Sequence, residues 1–486
     1  MPSNTVLATV YKLALTLPFL CTILLSCTSF PMASLLFCIV LCSYYSIAHG
    51  GGGDQSFVTV PTSSFEPEPV CSGDRVMSEQ NHSAVSLPLV HRHGPCAPSI
   101  SPDKPPSADT LRSSRARMNH LTTGVPPRSM GWLGDEKASI PTHLGSSVRS
   151  LEYVVTVSFG TPAVPRVVVI DTGSDLSWLQ CKPCSPGECS QQKDPLFDPS
   201  HSSTYGSVDC GSAACKKLAA DAYAAGSCAN GKQCGFLISY ADGTSTAGVY
   251  SKDKLTLAPG VVVNNFYFGC GHDKRAVQGL YDGLLGLGRL SESLAAQYGG
   301  AVSYCLPAVS SKPGFFALGA GKSPSGFQFT PMGRVPGQPT FATVTLAGIT
   351  VGGKKLNLRP SAFQGGMIVD SGSVITGLQS TAYQALRAAF RSAMAAYPMV
   401  PNDHLDTCYN LAGHKNVVVP KIALTFSGGA TINLDVPNGV LVNGCLAFAD
   451  SGLDGTSGVL GNVNQRTFEV LFDTGSSKVG FRANAC

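Results

Sequence analysis

The sequence predicts an all-β protein built from two related lobes, and three observations carry that expectation. Short β-branched runs bounded by Gly and Pro, such as LEYVVTVSFGTP and RVVVIDTGSDLSWLQ, recur from Leu151 to the C-terminus and have the texture of strands. One strand-Asp-turn element occurs twice, as VVVIDTGS (Val167–Ser174) and GMIVDSGS (Gly366–Ser373). Each copy is followed at a distance by an apolar-apolar-Gly segment, LLGLG (Leu284–Gly288) after the first and VLGN (Val459–Asn462) after the second. Helical runs are few: Leu294–Tyr298, and Ser380–Ala396 with its good helix formers and Ser/Thr start.

Bulk properties narrow the function. The 486 residues exceed one ordinary core and imply two or three folding units. A chain that is 43% hydrophobic and 13% charged is globular, and its 53 Gly and 33 Pro suit short strands joined by tight turns. The formal charge is only +4 and no basic stripe is present, so nucleic acid is not an expected partner.

The chain divides by texture. Residues 1–48 are an apolar leader, with no charge between Lys12 and His49 and a second apolar stretch beginning at Met32. That length exceeds the roughly 7–15 apolar residues of a signal peptide, so the start codon lies upstream of the functional one or the leader is long. A membrane anchor is the alternative, against which Pro18 and Pro31 interrupt a continuous span. Residues 49–145 are rich in Pro, Ser, Gly and Arg, include the basic stretch LRSSRARMNHL, and read as a propeptide cut between about 125 and 150. Its sequon, Asn81-His82-Ser83, is a glycosylation candidate. The N-terminal lobe is expected over 146–335 and the C-terminal lobe over 336–486.

Eighteen cysteines behind an apolar leader point to disulfides in an oxidising compartment. Cys181-x-x-Cys184 is compatible with zinc by itself, but no second pair follows at ligand spacing, so neither metal nor cofactor is expected.

The repeated Asp carries the chemistry. A carboxylate on a tight Gly turn after a buried strand is held rigidly, and Gly admits close backbone approach. If the two turns meet, Asp171 and Asp370 share one proton, because like charges at about 3 Å do not both ionise. One carboxylate then serves as general base on a water and the other protonates the scissile carbonyl. Thr172 and Ser371 are placed to bond across the lobes, Ser174 and Ser373 to bond the carboxylates, and Gly173 and Gly372 to complete the turns. A third copy, Asp473-Thr474-Gly475-Ser476, lies between two apolar runs with only thirteen residues after Asp473. It has no room for a distant partner segment and is expected to be a hairpin turn.

Together these motifs resemble the pepsin-like aspartic proteases, and within them the nepenthesin-type plant branch, over roughly the last two-thirds of the chain. Trp178 matches a position that supports the active-site flap. SYADGTSTAG (Ser239–Gly248) resembles the flap hairpin, with Tyr240 at the tyrosine that closes over substrate. LDTCYN, GNVNQRTFEVLFD and the propeptide's LVHRHGPCAP are similar to stretches of the plant branch. The resemblance implies two β lobes with a cleft between them, acid endopeptidase activity on protein or peptide substrates, synthesis as a zymogen inhibited by its own propeptide, and a monomer. It also implies the pairings Cys181–Cys184, Cys189–Cys270, Cys210–Cys234, Cys215–Cys228, Cys305–Cys486 and Cys408–Cys445. The chain departs from the family pattern at Ser373 for Thr, at Ala241 for Gly, which would stiffen the flap, and at Asn464 for Gln. Two other functions stay open at this point: a silent binding protein that inhibits cell-wall hydrolases, and a plastid protease. Secretion to the apoplast or vacuole is the expected destination, since the leader is apolar rather than rich in Arg and Ser.

Overall fold

Pleated alternation organises the body of the protein from its first long hairpin. In the computed structural model, β3 (Tyr153–Phe159) and β4 (Val164–Asp171) pair antiparallel from Val154↔Val169 to Phe159↔Val164, and the second half of β4 is buried on both faces. The structure describes residues 56–61, 85–91, 111–112, 114–118, 121 and 153–486, less 185–188, 190–191, 193, 222–227, 230, 241–243, 276–280, 300, 310–311 and 321–324. The leader, Asn81, the expected maturation site and Ala241 lie outside the described residues.

The sequence repeat becomes a repeat of topology. In the first half, β4 is flanked by β3 on one side and by the parallel strand Gly283–Gly286 on the other. Beyond that lie β5 (Trp178–Gln180), antiparallel to it, and then the parallel strand Val261–Arg275. In the second half, Met367–Val369 is flanked by Gln338–Val344 and by the parallel strand Gly458–Leu460, followed by Thr376–Leu378 and Phe448–Asp450 with the same relative directions. The two apolar-apolar-Gly segments are thus the parallel neighbours of the two Asp strands. Parallel strands buried on both faces read as continuous apolar runs, which is why these segments stood out.

The halves interlock. The C-terminal hairpin Glu469–Asp473/Lys478–Arg482 pairs with Ala301–Cys305, so the last strands of the chain extend the sheet begun by the first half. Two strands from before residue 145 also join the body. β1 (Phe57–Pro61) lies against Asn416–Pro420, and β2 (Val85–His91) sits between Gly314–Ala320 and β3. Leu87 and Leu89 of β2 are buried in the main core, so this strand is folded onto the body.

Among the described residues after 153, three α-helical pieces are present. Leu294–Tyr298 occurs as expected, capped by the Ser293 hydroxyl. Ser380–Ala393 stops three residues short of Ala396, where Met394 takes the C-cap position. Ala213–Ala220, capped by Ser212, was not foreseen.

The cysteine pairing differs from the expected one at four of six bridges. The bonds are Cys181–Cys270, Cys184–Cys189, Cys210–Cys228 and Cys215–Cys234, with Cys305–Cys486 and Cys408–Cys445 as expected. Strand register explains the exchange. β5 pairs Leu179 with Cys270, which brings the next residue but one, Cys181, to a Cα separation of 5.4 Å from Cys270. The helix Ala213–Ala220 carries Cys215 onto Cys234, leaving Cys228, opposite Cys234 in a short hairpin, for Cys210.

Candidate functional site

Asp171 ends β4 and Asp370 directly follows Met367–Val369, and both are fully buried. Their turns are built alike. Gly173 N–H donates to Asp171 Oδ1 at 2.9 Å, and Gly372 N–H donates to Asp370 Oδ1 at 3.0 Å. Ser174 Oγ donates to Asp171 Oδ2 at 2.6 Å, and Ser373 Oγ donates to Asp370 Oδ2 at 2.5 Å. Each carboxylate is therefore fixed by one amide and one hydroxyl. The Thr-to-Ser departure at 373 leaves this hydroxyl in place.

Between the turns runs a reciprocal clasp. Thr172 N–H donates to Ser371 Oγ at 3.1 Å, while Ser371 N–H donates to Thr172 Oγ1 at 2.9 Å. Thr172 Oγ1 donates to Val369 O at 3.1 Å, and Ser371 Oγ donates to Ile170 O at 3.4 Å. The clasp brings the carboxylates together. A Cβ on Gly173 would stand 2.8 Å from Asp370 Oδ1, and one on Gly372 would stand 2.7 Å from Asp171 Oδ1. The partner segments need glycine for a different reason: the chain leaving each Asp turn crosses directly over them. A Cβ on Gly286 would meet Asp175 O at 2.1 Å, and one on Gly461 would meet Ile375 O at 2.6 Å.

The third Asp-Thr-Gly-Ser does something else. Asp473 pairs with Lys478 at the end of a hairpin, and its Oδ1 accepts from Ser476 N at 2.9 Å, as a turn residue does. The two residues expected at a flap are in contact: the Trp178 indole N–H donates to Tyr240 Oη at 2.7 Å, and Tyr240 N–H donates to Thr244 O at 2.7 Å.

A group missed in the sequence occupies the space between the carboxylates. Residues 111–112 and 114–118 are helical, and Arg117 projects into the site. Its Nη2 donates to Asp171 Oδ1 at 2.5 Å and to Asp370 Oδ1 at 2.9 Å, and its Nε donates to Asp370 Oδ2 at 2.7 Å. Burial works against the guanidinium, but the charges of Asp171 and then Asp370 outweigh it and hold Arg117 protonated well above its ordinary range. The bare Cα atoms of Gly173 and Gly372 make room for it. The same helix is anchored on the second half. Ser114 Oγ accepts from Val374 N at 2.9 Å and Ile375 N at 3.2 Å. Leu111, Met118 and Leu121 are buried with Ile368, Ile375, Leu405 and Ala449. Arg117 lay within the basic stretch, and Leu111, Met118 and Leu121 at i, i+7 and i+10 were a helical face that marked it.

Beneath the pair lies a second missed group. Tyr304 is fully buried, and its hydroxyl donates to Gln465 Oε1 at 2.5 Å. Gln465 Nε2 in turn donates to Leu460 O at 2.7 Å and to Asp370 O at 3.3 Å. Burial, and then the charge of Asp370, push the phenol well above its usual value, so it remains a proton donor. Among the described residues no cluster of His, Cys, Asp and Glu is arranged to hold a metal.

Known proteins place this arrangement in a family. Residues 153–320 match the family model described as xylanase inhibitor N-terminal, and residues 343–483 match the xylanase inhibitor C-terminal model. An aspartyl protease family protein of Arabidopsis thaliana is 36% identical over 469 residues, 92% of this chain and 98% of that protein. Aspartic proteinase nepenthesin-2 of Nepenthes gracilis is 36% identical over 354 residues, 69% of this chain and 78% of that protein. The crystal structure of edgp shares the fold with a TM-score of 0.58 at 20% identity, covering 85% of this chain and 96% of that one. Basic 7S globulin from soybean does so with a TM-score of 0.53 at 19% identity, covering 68% and 90%. With its duplicated Asp turns, reciprocal clasp and two-lobed β architecture, the chain belongs to the pepsin-like aspartyl protease family, alongside plant members that include the nepenthesins.

Proposed function

We propose that the protein is an aspartic endopeptidase made as a precursor, with Asp171 and Asp370 as its catalytic pair and Arg117 as its internal plug. The observation that carries this reading is the plug itself. One guanidinium, on a side chain only 15% exposed, bonds both carboxylates at once, in the space that an attacking water would need. A protein that used this fold only for binding has no reason to cap that pair with a cation.

Chemistry follows once the helix leaves. A water takes the place of the guanidinium, bonded to both carboxylates. The ionised member removes a proton from it as the oxygen attacks the scissile carbonyl, while the protonated member gives its proton to the carbonyl oxygen. The tetrahedral diol then expels the amine, which receives a proton from the pair, while one diol hydroxyl returns its proton to the pair and restores its singly protonated state. Ser174, Ser373 and the two glycine amides hold the carboxylates in place through the cycle. Tyr240 and Trp178 shape the flap side, and substrate lies extended beneath it. Secretion through the apolar leader belongs to the same proposal.

Recombinant precursor brought to acid pH is expected to shed its N-terminal region and cleave unfolded protein, with inhibition by a statine-type peptide. Asp171→Asn and Asp370→Asn are each expected to abolish cleavage. Full activity in either variant overturns the proposal. A silent inhibitor is the competing reading, favoured by the description of the matching family models. An acid-treated protein that stays inert yet binds a glycosidase supports that reading instead.

A further inference from the structure

The strand Asn416–Pro420 has a docking edge that is separate from the Asp pair. β1 lies along it antiparallel, with five residues in register from Phe57↔Pro420 to Pro61↔Asn416. Lys421 N–H extends the ladder by donating to Ser56 O at 2.9 Å. Among the described residues β1 is the only strand paired with this one.

The edge is built to take an extended chain. Val417 and Val419 are buried in the core, whereas Val418 is 41% exposed and donates its N–H to Tyr397 Oη at 2.7 Å. One side of the strand is thus satisfied by the body, and the other is left for an added strand. Val60 enters the core with 4% exposure, and Val58 packs against it. At the far end, the Gly352–Gly353 turn clears a path. A Cβ on Gly352 would stand 3.2 Å from the Phe57 ring, and one on Gly353 would stand 2.3 Å from Ser56 Oγ. Both glycines also have positive φ, 54° and 73°, which disfavours any replacement.

We propose that the 416–420 edge is a strand-docking exosite whose partner is an extended, uncharged segment with β-branched residues at alternate positions. In the precursor the chain's own residues 56–61 fill it. Main-chain bonds supply affinity in such strand addition, and alternate side-chain pockets supply selectivity. The exosite anchors the N-terminal region at a point that does not depend on the guanidinium. Between the end of β2 and the helix carrying Arg117 lie residues 92–110. Nineteen extended residues reach as far as about 60 Å, so the helix can leave the Asp pair while β1 stays docked. An empty edge with an outward Val418 would be a liability for association with other chains, and an occupant suppresses that.

The test reads binding rather than proteolysis, in full-length protein carrying Asp171→Asn so that the probe survives. Residues 56–61 are replaced by six Gly and Ser residues, and a fluorescein-labelled peptide of residues 56–62 is titrated in. Saturable binding is expected, at least ten-fold tighter than to the chain with its own β1 and at least ten-fold tighter than for a Val60→Asp peptide. No binding, or equal binding to both chains or by both peptides, overturns the proposal. In case the replacement disturbs folding, Val60→Asp in the full chain is followed by hydrogen exchange. The amides of Val417, Val419 and Lys421, which face β1, are expected to exchange at least ten-fold faster while those of β4 are unchanged, and an unchanged rate at these three also overturns it.

Discussion

Removing the plug is the perturbation whose size can be worked out most directly. Arg117→Ala deletes three charge-assisted hydrogen bonds to two buried carboxylates. Breaking a buried ion pair by deleting one partner costs about 3–5 kcal/mol. At about 1.4 kcal/mol per factor of ten, that loosens the helix by roughly 10² to several times 10³-fold. The ion pairs do not act alone. Leu111, Met118 and Leu121 are 5%, 1% and 4% exposed. Burying three such side chains contributes roughly 5–9 kcal/mol, at about 1.5–3 each. The apolar anchor is at least as strong as the salt bridge, so Arg117→Ala weakens the blockade without ejecting the helix. With a quenched fluorescent peptide at mildly acid pH, the uncut Arg117→Ala precursor is expected to gain about a hundred-fold in activity. It should still fall short of the processed protein. Adding Met118→Ala, worth about 2–5 kcal/mol more, should close most of the gap. Gel analysis must show that the chain stays uncut during the assay. If intact Arg117→Ala precursor is as silent as the parent while Met118→Ala alone is fully active, the guanidinium is not the gate and the reasoning fails.

Three further outcomes are expected. Tyr304→Phe removes only the hydroxyl that fixes Gln465 under Asp370; kcat should fall about ten-fold with KM unchanged, and Gln465→Leu added to it should cause little further loss, as for two groups acting through one contact. Tyr153→Phe, which loses a hydroxyl bonded to Pro307 O and accepting from Arg466, is the comparison that should lower stability and spare kcat. Glu292 is 3% exposed and bonded by Ser291, facing Asp221 and Tyr250, and burial, followed by Asp221, pushes its carboxyl up to about 7. Its folded value lies above the ordinary one of about 4.3, so the stability it contributes is complete below that pH and is lost as pH rises through about 7, by up to about 3 kcal/mol; the fall in Tm across this window should largely vanish in Glu292→Gln. Gly286→Ala should cost more than about 3 kcal/mol or prevent folding, because its Cβ would stand 2.1 Å from the carbonyl oxygen of Asp175; a chemical-denaturation midpoint equal to the parent's would contradict the crossing described for that segment.

The Asp pair could be read from the sequence because duplication left a local trace. Each Asp strand is an apolar run leading into an Asp-Thr/Ser-Gly turn, each parallel neighbour is an apolar run leading to Gly, and both occur twice. The same argument rejected Asp473, which has a turn but no distant apolar-apolar-Gly segment after it. Arg117 was obscured because its meaning lies in a contact 54 residues away with Asp171 and 253 away with Asp370. Nothing in the sequence around it encodes either separation, although the helical spacing of Leu111, Met118 and Leu121 was available. The bridges among Cys181–Cys234 failed for a related reason. Several cysteines fall within reach of one another, and the choice rests on strand register and on the helix Ala213–Ala220, whose eight residues are too few to show a clear period. Tyr304 and Gln465 look like ordinary core residues until the two halves are assembled.

The reciprocal clasp has a mechanical consequence. Thr172 and Ser371 each give and receive across the same short span, so the contact ties the two turns equally rather than from one side. A rotation of one half against the other about that contact would displace residues far from it more than it displaces the carboxylates beside it. On the proposed endopeptidase reading, a jaw hinged at its own cutting point would open for bulky side chains and still meet each peptide bond with the same geometry.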